Sequence, residues 1–166
     1  KPIGSVIYTS MLNPRGGIEC DFTVTRLTAD HFMIITGTAF GEHDLSWIRL
    51  NVGAHGDVGA PGRAPLHIDD VTSSMCCYGV WGPKARDVIQ RVTKDDMSNK
   101  AFPYMTAKNI TIGDVPVLAV RVTYVGELGW EFYAPMEYGQ NLWDTLWQAG
   151  EAEGMIAGGY RAIESL

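Results

Sequence analysis

Alternation of hydrophobic and polar residues predicts β-strands in the first part of the chain. The pattern indicates strands at Ser5 to Met11, Ile18 to Leu27 and His31 to Thr36. The first two flank residues 13–17, whose sequence Asn-Pro-Arg-Gly-Gly is typical of a turn. We therefore expect a hairpin followed by a third, short strand.

The rest of the chain mixes helices with strands. Apolar residues at helical spacing predict a helix from Gly41 to Val52, and Pro83 suits the first position of a second helix that reaches Val92. A third predicted helix, Glu137 to Ala149, has one apolar stripe, and another begins at Tyr160. The remaining predicted strands are Leu66 to Thr72, Met75 to Trp81, Thr106 to Ile112, Val115 to Val125 and Trp130 to Ala134.

This order of elements favours an α+β domain with antiparallel sheets and flanking helices. A length of 166 residues is enough for one core or for two small lobes. We expect a single domain over residues 1–166, with two lobes at about 1–65 and 66–166 as the alternative. The stretch 53–65, rich in glycine and proline, is the predicted loop between them.

The composition is that of a globular domain, with 46% hydrophobic and 19% charged residues. The net charge is −6, and no run is rich in lysine or arginine. Nucleic-acid binding is therefore not expected, because phosphate recognition requires clustered positive charge. No apolar run approaches the roughly 20 residues that span a membrane, so we expect no membrane partner either.

Three cysteines, Cys20, Cys76 and Cys77, form no C-x-x-C pair, and no histidine spacing is typical of a metal site. An odd number of cysteines argues against a complete disulfide framework. We expect free thiols in a reducing compartment, either the cytoplasm or the mitochondrial matrix, and no bound metal. The glycine-rich residues 53–62 lack G-x-G-x-x-G, so we expect no flavin or nicotinamide site in this chain.

Two acids are candidates for chemistry. Glu127 follows a predicted strand between two glycines, which predicts a hairpin tip where a carboxylate can accept hydrogen bonds from a flat heterocycle. The alternative is a solvated turn acid. Asp21 has apolar neighbours, which predict a desolvated carboxylate; an exposed strand-edge acid is its alternative. Glu19 competes for the same role, and we interpret Glu131 as structural.

Several short motifs occur in an order that resembles the folate-binding domain of the aminomethyltransferase family. That family includes the glycine-cleavage T-protein and the C-terminal halves of dimethylglycine and sarcosine dehydrogenases. The resemblance extends over nearly all of the chain and is closer to the dehydrogenases. The matching motifs are Met11-Leu12-Asn13 with Gly16 to Asp21, Asp70-Val71-Thr72, Trp81 to Arg86, Ser98 to Pro103 and Tyr124 to Glu131.

The resemblance implies that the chain binds tetrahydrofolate. It implies that Asp21 is catalytic, beside the reactive folate nitrogens, and that Glu127 accepts hydrogen bonds from the pterin ring. Two positions depart from the T-protein branch: Gly37 stands where that branch often has asparagine, and Ile163 where it has arginine. The other folate-binding positions that the resemblance implies are Tyr8, Ile35, Gly37 and Tyr124.

The expected function is tetrahydrofolate-dependent transfer of a methylene unit within an N-demethylating amine dehydrogenase or oxidase. FAD then belongs to an oxidase domain of the same full-length protein, outside this chain, which supplies an iminium or formaldehyde equivalent. The alternatives are a non-catalytic regulatory module of the same family and a stand-alone aminomethyltransferase that acts with a lipoyl carrier protein. The family also has a further N-terminal segment and a C-terminal barrel, so the resemblance implies truncation at both ends.

Overall fold

The structure, a computed structural model, describes residues 1–54, 66–124 and 126–165. Within these residues, seven strands form two antiparallel sheets. The first sheet contains, in chain order, β1 (Val6–Leu12), β2 (Ile18–Arg26) and β3 (Phe32–Thr36). The second sheet is built from β4 (Met75–Trp81), β5 (Ala107–Ile112), β6 (Val115–Val120) and β7 (Gly129–Pro135), in the spatial order β4-β7-β6-β5.

Four α-helices accompany the sheets in the same residues. They are α1 (Gly41–Ala54), α2 (Ala85–Gln90), α3 (Gly139–Gly150) and α4 (Tyr160–Ile163). Short 3-10 turns at 38–40, 136–138 and 151–153 adjoin α1 and α3. None of the helices in the described ranges is long and apolar enough to cross a membrane.

The larger core lies between one face of the second sheet and the helices α2 and α3. β7 contributes Trp130 and Phe132, which are fully buried, and α3 contributes Leu142 and Leu146. The buried residues of α3 recur at helical spacing, so the apolar stripe seen in the sequence is the face that packs on the sheet. This core fixes the position of β7.

The opposite face of the second sheet packs against the first sheet. This contact forms a smaller core, which we call the inter-sheet core. Both faces of the second sheet are thus covered, one by helices and one by the first sheet. The first sheet contacts the second through one of its faces. The inter-sheet core contains Val6, Ala107, Val120, Val122 and Tyr133, with Met33, Ile35, Met75, Met105 and Leu118 packed against them.

The two sheets also join through a backbone junction. Ser5 pairs with Thr106 as an isolated bridge, and the Val6 N–H donates to the Met105 carbonyl at 3.0 Å. The Met105 N–H donates in turn to the Arg121 carbonyl at 3.0 Å. Met105 has a φ of 59°, in the left-handed region that costs a non-glycine residue about 1–2 kcal/mol. The junction therefore holds a strained residue between β1 and the end of β6.

The predicted α+β class with antiparallel sheets is confirmed, but the strand predicted from Leu66 to Thr72 is wrong. Residues 66–71 form no regular element, and a 3-10 turn occupies Thr72–Ser74. The Asp70 carboxylate accepts a hydrogen bond from the Thr72 N–H at 2.9 Å. A local side-chain bond of this kind competes with strand pairing and starts a turn instead.

The strand predicted from Val115 to Val125 is shorter than expected, because β6 ends at Val120. Residues 121–124 and 126–128, which we call the loop 121–128, form no strand between β6 and β7, instead of the tight hairpin that was predicted. Val125 lies outside the described residues, as do residues 55–65 of the predicted loop 53–65, whose first two residues belong to α1.

Candidate functional site

Tyr8 and Asp21 form a hydrogen-bonded pair on the first sheet. The Tyr8 hydroxyl donates to Asp21 Oδ2 at 2.6 Å. The register pairs Tyr8 with Thr23 and Ser10 with Asp21, so both side chains share a face with Val6 of the inter-sheet core. The hydrogen bond to Asp21 is the main cause of a raised pKa at the Tyr8 phenol, which therefore remains a donor at neutral pH.

Asp21 is exposed, so the prediction of a desolvated carboxylate is wrong. Its neighbours Cys20 and Phe22 are buried, but they point to the opposite face of β2 and do not cover it. The carboxylate is thus open to solvent and held by one phenol, an arrangement that leaves it accessible to a ligand.

Glu19 does not share the position of Asp21. The register shifts at the end of β1, where Met11 pairs with Cys20 and Leu12 with Ile18, and Glu19 is the extra residue of this bulge. Its Oε1 accepts a hydrogen bond from Asn13 Nδ2 at 2.7 Å, and its Oε2 lies 3.8 Å from His43 Nε2. Glu19 is therefore engaged with the turn and with α1 and does not contact Tyr8.

The strand that carries Asp21 is anchored by α1. Asp44, in the first turn of α1, is 3% exposed and accepts a hydrogen bond from the Thr36 hydroxyl of β3. His43 Nδ1 lies 2.9 Å from the same carboxylate. Thr36 in turn pairs with Phe22, the residue after Asp21. A buried carboxylate with two partners thus holds β2 and β3 in place against the helix.

Tyr124 and Glu127 lie on the loop 121–128 of the second sheet. Gly126 has a φ of 101°, which favours glycine, and its N–H donates to Thr123 Oγ1 at 2.9 Å. Tyr124 is 65% exposed and Glu127 is half-buried. After the effect of Asp21, an electrostatic effect of Tyr124 also raises the pKa of Tyr8. The two phenols, one from each sheet, therefore interact electrostatically.

Glu131, which the sequence analysis interprets as structural, becomes a candidate once its surroundings are described. Trp130 and Phe132 belong to the larger core and Tyr133 to the inter-sheet core, so Glu131 points toward the first sheet. Burial raises the pKa of Glu131, and the Tyr133 hydroxyl donates to its Oε2 at 2.6 Å. The signal in the sequence is an acid between two large apolar residues, Trp130 and Phe132, of a predicted strand.

An aromatic surface lies beside Glu131 on the same face of the second sheet. A Cβ placed on Gly129 would lie 2.0 Å from Trp81 Cδ1, and one on Gly79 would lie 2.3 Å from Trp81 Cη2. The Trp81 indole therefore lies flat across these two glycines. Larger residues at either position would displace it, so the glycine pair is what allows this surface to form.

The other predicted positions are both on or next to β3. Ile35 packs against the inter-sheet core, and Gly37 follows the strand at the start of the turn 38–40. Gly37 has an ordinary φ of −62°, so its backbone is compatible with any residue. The structure therefore brings Tyr8 and Asp21 into contact, with Ile35 on the same sheet. That Asp21 and Glu127 converge on one ligand stays a prediction.

The inner faces of the two sheets combine carboxylates, phenols and apolar surfaces. Such a set suits a flat heterocycle that carries N–H donors and a basic amine. Among the described residues, no group of three His, Cys, Asp or Glu side chains is arranged to hold a metal ion. The three cysteines are free thiols.

Comparison with known proteins agrees with this architecture. The family model described as the GCVT N-terminal domain matches residues 1–166. The chain belongs to this family. The membership confirms the predicted resemblance, and the GCVT family includes aminomethyltransferases that depend on folate.

Two curated relatives represent the two branches of the GCVT family. The mitochondrial dimethylglycine dehydrogenase of Mus musculus is 35% identical over 99% of this chain, which covers 18% of that protein. The aminomethyltransferase of Thermoanaerobacter pseudethanolicus is 30% identical over 97% of this chain, which covers 41% of that protein. This GCVT domain thus spans a minor part of each relative.

A solved relative shows the same fold. It is the glycine cleavage system aminomethyltransferase T from Bartonella henselae, with a TM-score of 0.67 and 23% identity. The superposition covers 88% of this chain and 36% of that structure. The two-sheet arrangement of the GCVT domain is therefore shared with an aminomethyltransferase.

Proposed function

We propose that this GCVT domain binds tetrahydrofolate beside the inter-sheet core, at the exposed Tyr8–Asp21 pair, and transfers a one-carbon unit to it. One observation carries the proposal: the Tyr8–Asp21 pair lies on the inner face of the first sheet, where both side chains are exposed. Glu131, with its raised pKa, points from the facing sheet toward the same side. The membership of the GCVT family supports folate as the ligand.

Tetrahydrofolate acts as a substrate in this proposal. Its N5 or N10 attacks an iminium carbon, whose π electrons move to the amine nitrogen; the attacking nitrogen becomes positively charged and then loses a proton. The amine nitrogen takes up a proton and leaves as the second folate nitrogen bonds to the carbon and loses its own proton. Asp21 is suited to stabilise that charge and to accept the proton, because its carboxylate is exposed and held by Tyr8. Holding the folate amine beside the carbon contributes up to about 7–11 kcal/mol in ideal intramolecular cases.

Two glutamates are candidates for recognition of the pterin ring. The ring presents neighbouring N–H donors, and one carboxylate can accept two of them. Glu127 has this role by resemblance. Glu131 has it by position: Tyr133 binds its Oε2, and among the described residues its Oε1 has no hydrogen-bond partner. Partial burial strengthens such a hydrogen bond.

We also propose that the domain works within a longer protein whose oxidase part contains FAD and supplies the iminium or formaldehyde equivalent. The similarity to a dimethylglycine dehydrogenase, with 35% identity over 99% of the chain, supports this context. A stand-alone aminomethyltransferase that acts with a lipoyl carrier protein is the alternative, since an aminomethyltransferase is also a relative. A flavin-binding domain in the same reading frame would favour the first context.

Gly37 favours one further possibility, a regulatory module that binds folate without turnover. The T-protein branch often has asparagine here, and the ordinary backbone conformation of Gly37 does not require glycine. The backbone at position 37 would therefore also accept asparagine, so the fold does not require glycine there. Folate binding without methylene transfer from formaldehyde would support this possibility, and Gly37→Asn would then be the variant that regains transfer.

Titration with tetrahydrofolate, followed by tryptophan fluorescence, tests the proposed binding. We expect saturable binding that weakens about tenfold or more in Asp21→Asn and in at least one of Glu127→Gln and Glu131→Gln. Asp114→Asn, which changes an exposed acid in the β5–β6 turn, is the matched control and should keep the original affinity. Unchanged affinity in all three site variants would contradict the proposal.

A further inference from the structure

Two arginines converge on the buried indole of Trp130, on the side of the second sheet that faces away from the first sheet. Arg86 projects from α2, and Arg121 directly follows β6. Their guanidinium carbons lie 5.7 and 5.3 Å from the centre of the Trp130 ring. Both arginines are half-buried, and in the described part of the chain neither forms an ion pair.

The hydrogen-bond acceptors of the two arginines are neutral oxygens, where a carboxylate would be expected. Arg86 Nε donates to the Met97 carbonyl at 2.9 Å, and Arg121 Nη1 donates to the Phe102 carbonyl at 2.5 Å. Asn99 Oδ1 accepts from the Nη2 atoms of both arginines, at 2.6 and 2.7 Å. Burial and the charge of Arg86 lower the pKa of Arg121. A single amide oxygen thus bridges two like charges.

The cluster keeps donors for an additional ligand. A guanidinium has five N–H groups, and Arg86 Nη1 and Arg121 Nε have no hydrogen-bond partner among the described residues. Asn99 is exposed, and because its oxygen binds the arginines, its NH₂ group is left to donate outward. These donors belong to three different segments, which the Asn99 Oδ1 atom brings together.

Neighbouring charges do not cancel those of the arginines. Lys108 adds a positive charge at the adjacent Ala101 carbonyl. Asp87, next to Arg86 in the chain, forms no ion pair with it in the described residues, and Asp96, three residues before Asn99, accepts a hydrogen bond from the Ser98 N–H at 2.7 Å. That bond lowers the pKa of Asp96, and the charge of Lys108 does so to a smaller extent. Asp96 is therefore held by a hydrogen bond within its own turn, and the charge of Lys108 also acts on it.

We propose that Arg86, Arg121 and Asn99 bind a phosphate-type oxyanion. Guanidinium groups match the oxygen spacing of phosphate, and an anion adds charge–charge attraction that the present neutral oxygen partners lack. The site is separate from the proposed folate cleft, since Trp130 and Glu131 lie on opposite faces of β7. Inorganic phosphate or the phosphate group of a small metabolite supplies this chemistry.

Thermal unfolding in phosphate and in chloride of equal ionic strength tests the site. A ligand that binds only the native state raises the melting temperature, by about 3–5 °C at ten times its Kd for a chain of this size. In Asn99→Asp a carboxylate takes the bridging position. We expect that variant to melt above the wild type in chloride and to lose the phosphate shift. Arg15→Gln, which changes an exposed arginine in the first hairpin turn, should keep it.

A second measurement separates binding from the general effect of phosphate on protein hydration. At 25 °C, where all variants are checked for folding by circular dichroism, the ³¹P resonance of inorganic phosphate should broaden with wild type and Arg15→Gln. It should not broaden with Arg86→Gln or Asn99→Asp. Equal melting shifts in all variants, or no ³¹P broadening by the wild type at millimolar concentration, would overturn the proposal.

Discussion

Strand alternation assigns neighbouring residues of β7 to different tasks. Trp130 and Phe132 stabilise the larger core, whereas Glu131 between them points toward the first sheet. The sequence marks Asp21 through its motif, and the predicted strand places its apolar neighbours Cys20 and Phe22 on the opposite face. It shows the alternation around Glu131 too, but which face of each strand meets the other sheet depends on the packing of the two sheets. Individual acids therefore need the tertiary structure before their environment is known.

The raised pKa of Glu131 leads to a prediction about pH. Because burial raises the pKa in the folded state above its unfolded value, the folded state binds the proton more tightly. This contribution is fully present below the unfolded pKa and is lost as pH rises through the folded pKa. Glu131→Gln keeps an acceptor for Tyr133 and lacks the titration, so its unfolding free energy should improve relative to wild type as pH rises across that window.

Urea denaturation at a series of pH values from acidic to neutral measures this difference. Glu137→Gln, which changes an exposed acid before α3, is the control and should follow the wild-type dependence on pH. A constant difference between Glu131→Gln and wild type at every pH would show that Glu131 titrates alike in the folded and unfolded states.

At the scale of elements, the sequence predicts best those segments whose apolar residues all face a core. β4 has the predicted bounds, Met75 to Trp81, and α3 lies within one or two residues of its prediction. The predicted strand at 66–72 has no sheet partner in the described residues. The Asp70 side chain instead accepts a hydrogen bond at the start of the 3-10 turn Thr72–Ser74. The predicted strand continues to Val125 because branched residues continue past Val120. Pattern alone does not show where pairing ends.

The pairing of β4 with β7 depends on glycine at the site of contact with Trp81. A Cβ on Gly129 would lie 2.0 Å from Trp81 Cδ1 and 2.6 Å from the Val80 carbonyl oxygen, and the backbone oxygen cannot move aside. We expect Gly129→Ala to lower the unfolding free energy by about 1–3 kcal/mol, the usual cost of overpacking. Gly159→Ala, where a Cβ meets open space, should change it by less than about 0.5 kcal/mol. Urea denaturation of both variants makes the comparison, and equal stabilities would refute the close contact.

At the scale of the whole molecule, two cores have different consequences. The larger core joins α2 and α3 to the second sheet, whereas the inter-sheet core and the strained junction at Met105 set how the two sheets face each other. The sequence predicts the elements of both sheets, and the resemblance predicts the family. Neither shows which faces meet, because that depends on contacts between residues far apart in the chain. The proposed folate cleft is a property of this second contact.

A pair of truncations separates the two cores. Val6→Ala removes apolar contact from the inter-sheet core and should cost about 1–3 kcal/mol, whereas Leu146→Ala in the larger core should cost about 2–5 kcal/mol. Although Leu146→Ala is the more destabilising change, it leaves the contact between the two sheets unchanged, because Leu146 belongs to the larger core. We therefore expect Val6→Ala to weaken tetrahydrofolate binding several-fold and Leu146→Ala to leave the affinity of the folded protein unchanged. Urea denaturation gives the stabilities, and folate titration below the melting temperature of both variants gives the affinities. If affinity instead followed stability, with Leu146→Ala the weaker binder, the ligand would depend on the larger core and not on the contact between the sheets.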